Sequence, residues 1–193
     1  MIYFYSGTPG SGKSLHVAQE IYKALREDKK NIVANIPINT DVVKKSVLRK
    51  KGLKIGRFYY LRNRYFSPDF FINYARKFHT KGKEGQTIIV IDEAQMLFSP
   101  SVVKLQCRYD PEFRVKWLDF FTQHRHLGFD IIVISQFDRL IDPQIRVLFE
   151  YNYIHRKANN MSGPYTFLIN LFRVKLFACV KYWYGTNQRL RCN

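Results

Sequence analysis

Acidic residues are scarce in this sequence. Fifteen Asp and Glu stand against thirty-two Lys and Arg, a formal charge of +17 at pH 7. Two stretches hold no acid at all: residues 44–64, with nine Lys and Arg, and residues 151–193, with seven. Such an imbalance argues against a cationic partner and for an anionic one: nucleic acid, an acidic membrane face or phosphate-rich ligands. Cysteine is equally sparse. Cys107, Cys179 and Cys192 are scattered, with no Cys-x-x-Cys pair, which excludes a disulfide framework and reads as reduced thiols in a cytosolic protein without a zinc site. The five histidines offer one close pair, His124 and His126, with no acid or thiol beside them in sequence. That is too few ligands for a closed metal centre.

Long charge-free apolar runs are missing too. The most apolar window, residues 165–185, carries Asn170, Arg173, Lys175 and Lys181, a poor membrane span whose aromatic and β-branched content suits buried strands. No charged lead with a cleavage site opens the chain, so it is expected to be soluble. Repeats, low-complexity tracts and linkers are absent, and 193 residues can bury a sizeable core. One α/β domain is expected over residues 1–193. It would carry a basic insert at about 44–66 and a strand-rich C-terminal part at about 150–185.

What is present alternates. Strands are expected at Ile2 to Tyr5, Asn31 to Pro37, Thr87 to Ile91 and in IIVIS after Asp130, then around YNYIHRK and within residues 165–184, with NNMSGP as a turn. A helix from Lys13 to about Arg26 would bury Leu15, Ala18, Ile21, Tyr22 and Leu25. Pro68 and Asp69 open another, to about Phe78. Asp110-Pro111-Glu112 begins a third that runs to about His126 before Gly128 stops it. Strands without polar alternation, separated by helices, predict a mostly parallel sheet covered on both faces.

The first strand runs into Gly7-Thr8-Pro9-Gly10-Ser11-Gly12-Lys13-Ser14. A strand, the spacing G-x-x-x-x-G-K-S and a helix form a phosphate-binding loop in its expected context. Glycines let backbone N–H groups approach phosphate oxygens, and the helix start adds its positive dipole end. Lys13 would reach the β- and γ-phosphates of ATP, and Ser14 would ligate Mg²⁺. The strand IIVIDEAQ delivers Asp92 to the same sheet edge to hold Mg²⁺ through water, and Glu93 to polarise the attacking water. An adjacent Asp-Glu pair favours hydrolysis over small-molecule phosphorylation. A third strand ends in Ser135 and Gln136, where a polar group can sense the γ-phosphate or position water.

These residues carry a family likeness. MIYFYSGTPGSGKSL, the NIP strand, IIVIDEAQ, and above all HRHLGFDIIVISQ followed by IDPQIR resemble the zonular occludens toxin family, whose N-terminal ATPase domain is shared with the gene I assembly proteins of filamentous phages. The likeness extends from Met1 to about Gly185. It implies a P-loop ATPase of the additional-strand, catalytic-glutamate class, strand order 5-1-4-3-2, with C-terminal β additions. It also implies a cytoplasmic motor that assembles and extrudes single-stranded phage DNA. Such a motor sits peripherally at the inner face of the host membrane or is anchored there through a transmembrane segment that this sequence does not include. Coat or assembly proteins of the phage are implied partners.

The basic stretch VVKKSVLRKKGLKIGRFYYLRNRYF combines cations with aromatics, as single-strand binding surfaces do; together with the acid-free C-terminal part it fits DNA or an anionic leaflet. Motors of this class usually form homo-oligomeric rings in which one subunit lends an arginine to its neighbour's ATP. Arg125, in HRH, and Arg146, in DPQIR, are the two candidates. A monomeric P-loop kinase and a nucleotide-gated binding module that recruits capsid proteins or DNA remain alternatives.

Overall fold

Alternation within three apolar strands explains the two-sided core. A computed structural model describes residues 1–39, 41, 55–157 and 176–186. In β1 (Ile2–Ser6), β4 (Thr87–Ile91) and β5 (Phe129–Ile134), Ile2, Phe4, Ile89, Ile91, Ile131 and Val133 face one layer of helices. Their neighbours Tyr5, Val90, Ile132 and Ile134 face the other. Strands buried on both sides lose polar alternation for this reason.

The sheet has seven strands in the order β3-β2-β4-β5-β1-β6-β7. The others are β2 (Asn31–Ala34), β3 (Phe58–Tyr60), β6 (Tyr151–Lys157) and β7 (Phe177–Trp183). All pairings are parallel except β6 with β7. Without β3 and β7 the order is β2-β4-β5-β1-β6, which, counted along the chain and read from the β6 side, is the expected 5-1-4-3-2. β3 adds a parallel edge strand beyond β2, made of the aromatic cluster of the basic insert. β7 is an antiparallel addition beyond β6.

α1 (Lys13–Arg26) covers one face and buries Val17, Ile21, Ala24 and Leu25. Leu15, expected on that stripe, is 53% exposed; the buried stripe is rotated away from it toward Val17. The other face carries α2 (Pro68–Phe78), α3 (Gln95–Phe98), α4 (Pro100–Tyr109), α5 (Phe113–Gln123) and α6 (Pro143–Arg146). Their aromatic block includes Phe71, Phe98, Trp117, Phe120 and Phe121, with Phe98 edge-on to Trp117 at 4.8 Å.

Several boundaries differ from the expectations. α5 starts at Phe113, because Asp110 accepts the Glu112 N–H (3.1 Å) and pairs with Lys116 (2.9 Å), making a turn before the helix. It ends at Gln123, and a turn leads to Gly128 at φ 84. α4 was not anticipated, although Ser99 caps it through the Val102 N–H (3.4 Å) and Pro100 opens it, the same chemistry by which Ser67 and Pro68 begin α2. The expected NNMSGP turn, most of the 165–185 window and residues 44–54 of the basic insert lie outside the described residues.

Candidate nucleotide site

Parallel pairing brings the carboxyl ends of β1, β4 and β5 to one edge, and there the loop after β1 turns. Gly7 (φ 145) donates its N–H to the Gln136 carbonyl at 3.1 Å, tying the loop to the end of β5. A Cβ on Gly7 would lie 2.4 Å from the His155 carbonyl oxygen. Gly12 (φ 94) is the residue before α1 and offers the helix no side-chain cap; no acid lies in the first turn. The helix start therefore keeps its amide donors and positive dipole end for a ligand. The Phe177 ring packs on Gly12 so closely that a Cβ there would lie 2.7 Å from ring Cγ. Thr8, Pro9, Gly10 and Ser14 are exposed, while Ser11 is buried, its Oγ without a partner among the described residues.

Lys13 Nζ donates to the carbonyls of Gly7 (2.5 Å) and Thr8 (3.0 Å). Burial pushes its pKa down, and the Asp92 charge opposes that shift. Asp92 moves the other way: burial pushes it up and the Glu93 charge adds to this, while the Glu93 N–H and Lys13 act against it. A cation shifted down beside a carboxylate shifted up marks two charges that the protein itself under-compensates. An anion bound near Lys13 and a hard cation bound near Asp92 would both be favoured there. The loop, the uncapped helix start and this charge pair together fit a polyphosphate with Mg²⁺.

Asp92 and Glu93 are held by a clamp that was not anticipated. Asn35, just beyond β2, accepts the Asp92 N–H (2.6 Å) and donates to the Asp92 carbonyl (2.8 Å) and to Asn63 Oδ1 (2.7 Å). Asp92 Oδ1 accepts the Glu93 N–H at 2.9 Å, and Glu93 sits at φ 46 with its side chain exposed. Arg62, Asn63 and Arg64 share with this pair an open cavity of about 450 Å³. Two cations of the basic insert thus border the acids. Nothing local distinguishes them from the other basic residues of that stretch.

Gln136 is exposed at the end of β5, beside the loop its carbonyl holds. Ser135 is buried and donates to Gln95 Oε1 (2.9 Å). The two arginines part company. Arg125 lies before β5, at the amino edge of the sheet, ion-paired with Glu150. Arg146 closes α6, 4.0 Å from Asp138 Oδ2. His124 is buried, with Nδ1 donating to the Phe121 carbonyl, whereas His126 lines a cavity at the amino edge with Arg125.

A glycine loop ending in Lys13, an Asp-Glu pair two strands away and the 5-1-4-3-2 order coincide with one family model, the zonular occludens toxin (Zot) model, which matches residues 1–180. The chain belongs to the zonular occludens toxin family. Among curated proteins no sequence match is found. Solved structures similar to this Zot-family chain include the N-terminal domain of zonular occludens toxin from Neisseria meningitidis. That domain is 20% identical, with 97% of this chain and 85% of that chain covered and a TM-score of 0.51. The DNA-packaging ATPase B204 of Sulfolobus turreted icosahedral virus is 16% identical, with coverage of 98% and 95% and a TM-score of 0.56. The KaiC-like protein PH0186 of Pyrococcus horikoshii is 12% identical, with coverage of 99% and 81% and a TM-score of 0.51. The Zot-family chain shares with these the P-loop NTPase fold. Among its described residues, no helix is long and apolar enough to cross a membrane.

Proposed function

We propose that this Zot-family chain binds and hydrolyses ATP as an oligomeric motor that drives filamentous phage assembly and moves single-stranded phage DNA at the cytoplasmic face of the host membrane. One observation carries the reading: the glycine loop between β1 and α1 sets Lys13 at the same sheet edge to which parallel β4 delivers Asp92. Lys13 leaves the Gly7 and Thr8 carbonyls and binds the β- and γ-phosphate oxygens. The backbone of residues 7–14 wraps the phosphates. Ser14 and, through water, Asp92 hold Mg²⁺, which neutralises phosphate charge. Glu93 accepts a proton from the attacking water, and Gln136 contacts the γ-phosphate end. The viral packaging ATPase among the similar structures supports a translocating role, as does the acid-free basic stretch of residues 44–64. The same basic sequence suits an anionic membrane face, and phage coat or assembly proteins complete the set of partners.

An arginine from a neighbouring subunit completes each site. Arg146 is the first choice because its helix follows the Gln136 strand; Arg125, held by Glu150 at the opposite edge, is the second. Turnover per subunit should rise with protein concentration and with single-stranded DNA. A mixture of Lys13→Ala and Arg146→Ala chains should regain part of the activity each lacks, since one donates the arginine and the other the intact nucleotide site. Hydrolysis independent of concentration, with no rescue for either arginine, would refute the ring. Transfer of phosphate to a small acceptor would make the chain a kinase, and ATP binding without stimulated turnover would make it a binding module.

A further inference from the structure

A second cluster of ligating side chains sits one helical turn beyond the phosphate loop, and nothing in the proposed ATPase chemistry uses it. His16 on α1, His155 on β6 and Cys179 on β7 each bring a donor atom to within 4.8 Å of the others. They lie far apart in the chain, and three elements deliver them. His155 and Cys179 are directly opposed in the antiparallel β6–β7 register, which puts their side chains on one face. α1 packs over that face and lowers His16 onto them. Tyr5 stacks on His16 at 5.1 Å and lies 5.2 Å from His155, so the cluster has an aromatic wall.

Hydrogen bonds set the protons of the cluster. His155 Nδ1 lies 3.1 Å from the Ser6 carbonyl and 3.0 Å from the Tyr153 carbonyl. Carbonyls only accept, so Nδ1 carries the hydrogen and the Nε2 lone pair of the neutral ring points outward. It points at His16 Nδ1, 2.8 Å away. On its other side, His16 Nε2 faces the Glu20 carboxylate at 3.6 Å. A hydrogen on Nε2 turns the His16 Nδ1 lone pair toward that of His155 at 2.8 Å, and a cation can sit where the two converge. Without a cation, the hydrogen sits on Nδ1 and joins the two rings, since 3.6 Å to Glu20 is too long for a hydrogen bond to hold it on Nε2. The two carbonyls on Nδ1 hold the buried His155 ring with Nε2 free to ligate.

We propose that His16, His155 and Cys179 bind a thiophilic transition-metal cation of the Zn²⁺ class. Two imidazoles and a thiolate are a borderline-soft donor set that suits Zn²⁺ and Co²⁺ and disfavours Mg²⁺. The Glu20 carboxylate and the Ser6 and Tyr153 carbonyls are the outer partners that fix ring tautomers in such sites. Tetrahedral Zn²⁺ needs its two nitrogens about 3.3 Å apart, so the rings part by roughly half an ångström. Binding releases the Cys179 thiol proton. Three protein ligands leave the fourth position to water. The cation ties β7 to α1 and β6, and Phe177, two residues before Cys179 on the same face of β7, is the ring packed on Gly12. The metal thereby staples the C-terminal hairpin against the phosphate loop.

The test uses the purified full chain, stripped with chelator and titrated with Co²⁺ in the absence of nucleotide. One equivalent should bind with a thiolate-to-cobalt charge-transfer band and intense visible bands of a tetrahedral ion, and Zn²⁺ should bleach both. Cys179→Ser should abolish the charge-transfer band, whereas Cys107→Ser should retain it. Glu20→Gln should weaken Co²⁺ binding about 10–100-fold, as loss of an outer partner does. If Cys179→Ser does not fold, Zn²⁺ should still protect Cys179 of the unmodified chain from alkylation, read by peptide mass spectrometry. Absence of the charge-transfer band, its survival in Cys179→Ser, or alkylation of Cys179 unaffected by Zn²⁺ would each overturn the site. None of these readouts depends on ATP hydrolysis.

Discussion

The two ends of the central sheet handle charge in opposite ways. At the amino edge the ions are matched within the protein. Asp130 accepts from the Met1 ammonium (2.9 Å) and from Lys30 Nζ (3.1 Å), and Arg125 pairs with Glu150. Burial alone would raise Asp130, but those two cations outweigh it and hold the carboxyl below its usual range. At the carboxyl edge Asp92 is raised and Lys13 lowered, each mainly by burial. One edge is closed electrostatically; the other is left open for a ligand. A folded chain gains stability from the first and forgoes some at the second, which is how binding energy is kept in reserve.

If the carboxyl edge is the open one, substitutions there should change function far more than folding. Lys13→Ala removes the cation inside the phosphate cradle. It should weaken binding of a fluorescent ATP analogue by on the order of a hundredfold or more, with thermal unfolding of the free protein nearly unchanged. An unaltered affinity would overturn the assignment of the loop. Glu93→Gln should retain ATP binding and lose about a hundredfold in turnover, measured by phosphate release; near-normal turnover would mean that another residue activates the water.

The smallest effects concern stability and should have opposite signs. Asp130→Asn removes the carboxylate from two cations and should cost about 1–3 kcal/mol, lowering Tm by roughly 2–4 °C per kcal/mol, with nucleotide affinity unchanged. Asp92→Asn keeps an acceptor for the Glu93 N–H, loses an under-compensated charge, and should stabilise the nucleotide-free protein by under about 1 kcal/mol, read as a small rise in Tm. The pH dependence follows the same division. Asp130, with its folded pKa below the unfolded value of about 3.9, stabilises above that value, and the contribution fades as pH falls through the folded pKa. Asp92, with its folded pKa above the unfolded value, costs stability once ionised, and acidification through that range relieves the cost. Destabilisation by both substitutions at pH 7 would erase the distinction between the edges.

Much of the carboxyl edge was legible because its chemistry is local in sequence. Gly7 to Ser14 is one continuous loop, and Asp92-Glu93 ends an apolar strand, so spacing alone brings them to light. The unanticipated parts depend on contacts between distant segments. Asn35 clamps Asp92 across 57 positions, and His16 meets His155 across 139; no spacing rule links either pair. β3 was hidden because its aromatics sit in a basic stretch that reads as a solvated surface, yet it pairs with β2 through Ile32, Val33 and Ala34. α4 is a different kind of miss. The Ser99-Pro100 start is as plain as Ser67-Pro68, but the helix that follows buries only Val103, so no apolar stripe marks it, whereas α2 buries Phe71, Tyr74 and Ala75.

One dihedral angle carries a practical consequence. Glu93 stands at φ 46, in left-handed backbone that a residue with a Cβ enters at a cost of about 1 kcal/mol. Glycine carries no such penalty. A selection of random variants for heat resistance alone should therefore enrich Glu93→Gly. The survivors would be sturdier proteins that turn over ATP slowly. Directed evolution of this chain toward robustness would need a catalytic counter-screen from its first round.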